Sequence, residues 1–171
     1  MIALKGAPVS AKMKDEIDEQ KKALSGPAPK LGIVRVGERP DDLSYERGAL
    51  KRMEKLGLAA ESFVFPQDIS HEAFEKEFLA INEDPAIDGI LLLRPLPKQI
   101  DEDKITRLID PEKDLDGISP TNIAKVFSGD ETGFAPCTAE AVIEVLKAYG
   151  IPIAGKRAVV VGRSMVVGKP L

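Results

Sequence analysis

The stretch that decides how this chain is read runs Gly155-Lys156-Arg157-Ala158-Val159-Val160-Val161-Gly162-Arg163-Ser164-Met165-Val166-Val167-Gly168-Lys169-Pro170-Leu171. Residues 158–161 are apolar and mostly β-branched, which predicts a buried strand of a parallel sheet. Gly162 ends that strand, and Arg163 and Ser164 make a small, basic turn. Gly168 is expected to let a new helix pack closely against the strand. A strand that runs through a glycine turn into a helix N-terminus aims free backbone N–H groups at a phosphate. The pattern is not G-x-G-x-x-G, since Arg163-Ser164 stands where a second glycine belongs. It predicts the start of a Rossmann-like dinucleotide-binding domain.

Outward from that stretch, strands and helices alternate. Residues 7–24 have a helical period, with Pro8 in the first turn and Ser25-Gly26-Pro27 as the stop. Residues 31–36 read as the first strand, ending at Gly37. Asp41-Asp42 offer an N-cap for a helix to about Leu56, which Gly57 terminates. A second strand is expected over 58–65, then a helix from a Ser70 cap to about Asn82. The third strand, 88–93, runs into Arg94-Pro95-Leu96-Pro97. Short helices over 101–109 and 120–127 flank a loop over 110–119. Thr138 is expected to cap a helix ending at Tyr149-Gly150. This alternation predicts a three-layer α/β domain on a parallel sheet over residues 1–136. Residues 137–171 then hold a bridging helix and the first strand and phosphate turn of the incomplete dinucleotide domain. One strand and one turn cannot make such a domain, so the chain is expected to be a C-terminally truncated piece.

Composition narrows the function classes. A net charge of -4 gives no reason to expect nucleic acid or an anionic membrane as partner. Trp is absent and aromatics are few, which argues against base-stacking surfaces. The single cysteine, Cys137, excludes an internal disulfide framework and suits a reducing, cytoplasmic compartment. With one histidine, His71, and one cysteine, a zinc site is not expected. No apolar run reaches membrane-spanning length.

In open α/β sheets ligands gather at the carboxyl ends of strands. The first strand delivers Val36-Gly37-Glu38-Arg39-Pro40, with Ser44-Tyr45 on the next helix, and the third delivers Leu92-Leu93-Arg94-Pro95-Leu96-Pro97. The loop Pro111-Glu112-Lys113-Asp114-Leu115-Asp116-Gly117 and then Pro136-Cys137-Thr138 follow. Singly, each residue has an ordinary explanation. Tyr45 reads as a core-edge aromatic, Asp114 and Asp116 as loop caps, Pro95 and Pro97 as strand ends, and Cys137 as a small packed residue.

Together the segments resemble the bifunctional methylenetetrahydrofolate dehydrogenase/cyclohydrolase family. Its members look like V-G-x-x-P-x-S-x-x-Y-x-x-x-K, D-G-I-x-V-Q-L-P-L-P, P-x-K-D-V-D-G, P-C-T-P and G-R-S-x-x-V-G-x-P, in that order, and this chain carries a version of each. The resemblance implies a folate-binding N-terminal domain, an NADP-binding C-terminal domain (NAD being the alternative), a tetrahydrofolate substrate and a homodimer. It implies that Tyr45 lies against the substrate rings and that Asp116 hydrogen-bonds the pterin; these two are the candidate catalytic residues. Leu92, Leu93, Arg94, Pro95 and Pro97 stand at the positions of the substrate wall. Thr138, Gly162, Arg163, Ser164, Val167 and Gly168 match cofactor positions, with Arg163 and Ser164 near the adenosine 2′-phosphate.

The departures separate two reactions. The family's catalytic lysine aligns with Ala49, and its partner glutamine with Leu93. Asp42 replaces a serine, and Ala139 a proline. Lys51 sits well around the helix from Tyr45, while Arg52 shares its face but lies roughly 10 Å along the axis. Hydride transfer from a methylene carbon needs mostly positioning, whereas activating a water needs a tuned base. The expectation is a dehydrogenase with weak or absent cyclohydrolase. A folate-binding fragment without catalysis, or an α/β enzyme on another substrate, are the alternatives.

Overall fold

The centre of the molecule is β1 (Lys30–Val36), whose near-continuous apolar run is buried on both faces as a central parallel strand must be. The computed structural model describes residues 3–171. β1 lies between β2 (Ala59–Phe65) and β3 (Gly89–Leu92), all parallel, in the order β2-β1-β3. The period-2 geometry of β1 sends alternate side chains to opposite layers. Val34 and Val36 join Phe74, Phe78 and Ile81 of α3 (His71–Glu83) and Ile105 of α4 (Glu102–Leu108). Leu31 and Ile33 join Leu93 and pack on Ala49, Leu50 and Met53 of α2 (Pro40–Leu56). Ile33 and Val34 are both 0% exposed, so the two cores meet at this strand. That makes the three-layer α/β arrangement the sequence predicts.

Capping follows local chemistry, with two corrections. Ser70 and Asp101 accept hydrogen bonds from Ala73 and Lys104 N–H, as N-caps do. The N-cap of α2 is Arg39, with Pro40 at its first position, so Asp41 and Asp42 sit inside the first turn rather than capping it. Proline needs no hydrogen-bond acceptor there, and the two carboxylates suit the positive helix end. After α5 (Pro120–Ser128), α6 (Cys137–Ala148) begins from Pro136 without a side-chain cap, so Thr138 is already helical and exposed. α1 (Gly6–Ala23) lies against α6, and the Tyr149 hydroxyl exchanges hydrogen bonds with the Lys5 backbone (3.1 and 3.2 Å).

The third correction concerns residues 158–161, which form no strand. Val159 is 89% and Val161 98% exposed. A strand is held by its ladder, and no other strand among the described residues lies beside this run. The turn after it does take shape. Ser164 Oγ accepts from Val167 N–H (3.1 Å), and the Ser164 carbonyl accepts from Lys169 N–H (3.0 Å). Gly168 lies flush on Gly162, where a Cβ would stand 2.3 Å from the Gly162 carbonyl oxygen. The packing of a helix on a strand expected at Gly168 is therefore not formed, since residues 165–170 are turn, and its close approach is to Gly162.

Candidate functional site

The segments leaving β1 and β3 at their carboxyl ends diverge around a cavity of about 290 Å³. Leu91, Leu92 and Leu93 line it from the β3 end, and Arg39, Asp42 and Tyr45 from α2 and its approach. Asp116, Cys137 and Thr138 close the far side, and Val166 reaches in from the C-terminal turn.

Tyr45 is 58% exposed, so its ring is a wall of the cavity and no part of either core. Burial, then the Asp116 and Cys137 charges, raise its pKa above the ordinary phenol value, which keeps the hydroxyl protonated at neutral pH. The helix beneath is fastened by a buried ion pair, Arg35 Nε to Glu46 Oε2 at 2.7 Å. The same guanidinium donates to the Gly37 carbonyl. The residue after Tyr45 is thus tied directly to the central strand.

Asp114 and Asp116 look alike in sequence and part company in space. Asp114 is 1% exposed and accepts from Ile118 N–H (3.1 Å), Ser119 N–H (2.8 Å) and Asn122 Nδ2 (2.9 Å). It is the knot of the loop. Asn122, also buried, donates to the Pro111 carbonyl (2.9 Å) and accepts from Phe134 N–H (3.2 Å), joining that loop to the segment before Cys137. Gly117 makes the approach possible: its φ is +60° and a Cβ would fall 2.6 Å from the Phe134 carbonyl oxygen. Asp116, held beside this knot, faces the cavity. Burial chiefly raises its pKa, Arg94 pulls it back down, and Asp114 adds a smaller upward push.

Cys137 is exposed at the rim instead of packed away. Its thiol donates to the Leu115 carbonyl (3.1 Å). Burial, then Asp116 and Glu140, push its pKa up to about 11, the wrong direction for a nucleophile.

Of the residues singled out in the sequence, Tyr45, Leu92, Leu93, Arg94, Asp116 and Thr138 share the cavity wall. Pro95 and Pro97 lie in the adjoining loop, whose Pro95 carbonyl accepts from Arg39 Nη1 (2.7 Å). Gly162, Arg163, Ser164, Val167 and Gly168 stand apart in the C-terminal turn. Asn122, Arg35 and Glu46 were not legible as site residues, since a lone polar residue in a strand or helix carries no pattern. Ala49 and Leu93, at the two departures from the family pattern, belong to one apolar cluster. Ala49 also lines a shallow groove of about 620 Å³ with Ser44, Tyr45, Gly48, Arg52 and Leu91. Arg52 thus stands on the Tyr45 face, and Lys51 does not. Among the described residues no cluster of His, Cys, Asp or Glu is placed to hold a metal ion.

The carboxyl edge of a parallel sheet, where this half-apolar cavity lies, is where open α/β proteins place small-molecule ligands. Residues 4–116 match the tetrahydrofolate dehydrogenase/cyclohydrolase catalytic domain, and residues 136–171 match the NAD(P)-binding domain of the same enzymes. The chain belongs to the tetrahydrofolate dehydrogenase/cyclohydrolase family. It is 53% identical over 169 residues to the bifunctional protein FolD of Alkaliphilus oremlandii, covering 98% of this chain and 59% of that one. Among solved structures it superposes on the FolD methylenetetrahydrofolate dehydrogenase/cyclohydrolase of Campylobacter jejuni with a TM-score of 0.93 at 35% identity, over 98% of this chain and 60% of that one. The Trypanosoma brucei enzyme, solved with NADP cofactor and inhibitor, gives a TM-score of 0.90 at 32% identity, over 99% and 59% of the two chains. The chain therefore spans about 60% of the length of such relatives. No described helix is long and apolar enough to cross a membrane.

Proposed function

We propose that this chain is the folate-binding part of a dehydrogenase that moves a hydride from 5,10-methylenetetrahydrofolate to NADP, giving 5,10-methenyltetrahydrofolate, with cyclohydrolase activity weak or absent. The observation that carries the second half is the packing of Ala49 and Leu93 in one apolar cluster. Where the family pattern has a lysine and its glutamine partner, this chain has hydrocarbon. The cations around the site are Arg39, Arg94 and Arg52, and a guanidinium cannot release a proton near neutral pH. None replaces a lysine that must shuttle protons to and from a water.

In this reading the Tyr45 ring supports the substrate rings, Leu92 and Leu93 form the apolar wall, and ionised Asp116 accepts from the pterin N–H groups. These residues hold the methylene carbon in place, and the neighbouring nitrogen lone pair stabilises the cation that develops as the hydride leaves. Bound NADP supplies the hydride acceptor. Exposed Arg163 and Ser164 fit a phosphate contact, the guanidinium by bidentate geometry. We divide the chain at 1–136 and 137–171, the second part being an incomplete cofactor unit. A homodimer in a cytoplasmic setting completes the proposal, supported by family membership and a single unpaired cysteine. The exposed run 158–161 favours a narrower second reading, in which the chain binds folate at its cavity without turnover.

The test follows 5,10-methylenetetrahydrofolate and NADP spectroscopically with the whole protein. Accumulation of the methenyl product is expected. Passage to 10-formyltetrahydrofolate at a comparable rate would refute the cyclohydrolase deficit, and no turnover with NADP or NAD would leave the binding-only reading.

A further inference from the structure

The cavity wall carries two guanidinium groups with donors to spare, Arg39 and Arg94. Arg39 is engaged with the Pro95 carbonyl (2.7 Å) and with Asp42 (3.5 Å). Arg94 makes a single side-chain hydrogen bond, Nη1 to Glu102 Oε1 at 3.2 Å. A guanidinium carries five N–H donors in a planar fork, so most of this one remains free. It lines the same wall as Asp116, and its charge acts on that carboxylate. Its position is not left to chance. The other Glu102 oxygen accepts from Leu96 N–H at 2.8 Å, so one carboxylate grips both the Arg94 head and the backbone two residues on. The pattern D-G-I-x-V-Q-L-P-L-P of the resemblance has a leucine at the position of Arg94.

A pterin ring edge presents two donors, the 2-amino group and N3–H, and beside them an acceptor, the C4 carbonyl oxygen. A carboxylate that takes the donors leaves that carbonyl facing its neighbour. We propose that Arg94 is a specificity-determining residue that reads the pterin C4 carbonyl while Asp116 reads the adjacent N–H groups, with Glu102 as its positioning residue. This rests on the folate reading above. A ring bearing an amino group at C4 would turn donors toward a guanidinium that has only donors, and such a mismatch is rejected more strongly than a missing methyl group.

The experiment compares binding of folic acid and 4-amino-4-deoxyfolic acid by calorimetry, using the full chain and its Arg94→Leu and Glu102→Gln variants. The unmodified chain is expected to prefer the 4-oxo ligand. Arg94→Leu should shrink that preference roughly tenfold to hundredfold, the value of a charge-assisted hydrogen bond. Glu102→Gln keeps an acceptor for Leu96 N–H but frees the guanidinium, and should give an intermediate preference. It also decides the matter if Arg94→Leu fails to fold. A merely structural Arg94 would weaken both ligands alike and leave the preference unchanged, which would overturn the assignment, as would equal binding by the unmodified chain. Failure of the unmodified chain to bind either ligand would instead refute the folate reading and this assignment with it.

Discussion

Two apolar runs, 31–36 and 158–161, each end at a glycine, Gly37 and Gly162, and they meet opposite fates. The first is the buried centre of a sheet, paired on both edges. The second lies in water without a ladder. Their sequences are equally suited to a strand. The difference is company: β1 has β2 and β3 to satisfy its backbone and two helical layers to cover its side chains, and 158–161 has neither. Strand character is a property of a sheet, and local propensity only permits it. The cavity grows from the first run, because only a fixed strand end holds its loops in register.

The comparison is sharpened first by cutting into β1. Ile33→Ala is expected to cost about 2–5 kcal/mol in urea unfolding, since both layers meet there and a cavity would remain. A loss below 1 kcal/mol would show that β1 is not the centre of stability. Next, Asp114→Ala should cost about 3 kcal/mol, because three buried donors lose their acceptor at once. Its sequence twin behaves differently. Asp116→Asn should weaken folate binding roughly tenfold to hundredfold while leaving the fold intact. The sign of its stability effect follows from burial. With its folded pKa raised above 3.8, Asp116 favours the fold fully below the ordinary value, and that contribution is lost as pH rises through the raised one. The asparagine variant should therefore melt no lower than the parent at neutral pH, with any gap closing in acid. A parent that melts clearly higher at neutral pH would contradict this.

At the junction of the two regions, Cys137 should react slowly although exposed. With its pKa near 11, roughly one thiol in a thousand is ionised at about pH 8. Alkylation by iodoacetamide is expected to lag a free thiol and to accelerate with pH up to about 11; a fast reaction at neutral pH would place the thiol elsewhere. Last and smallest, Val161→Ala should move stability by no more than about 0.5 kcal/mol. A larger loss would mean that 158–161 is packed in solution.

Much of this was legible without coordinates. Helix ends carry their own chemistry, so Gly57, Ser70 and Asp101 could be read as boundaries. Leu92, Leu93 and Arg94 stand at the end of β3, with Tyr45 on α2 and Asp116 on a loop beside it, at the edge where an open α/β sheet collects ligands. The misreadings are equally physical. Thr138 and Asp42 are good capping residues in general, but a proline fills the N-cap of α6 and the first position of α2, so the helices start two to three residues earlier. Asn122, Glu46 and Glu102 act across distances that no local pattern records.

The sequence by itself determined the alternation of elements, the α/β class and the residue types available to the cavity, because hydrophobic period and turn chemistry are local. Tertiary structure alone decided that Asp114 is the knot of its loop, and that Ala49 and Leu93 are one patch. It also left 158–161 without a ladder. Burial, pairing and shifted pKa values depend on what lies across a gap in space, and the chain order does not specify that distance.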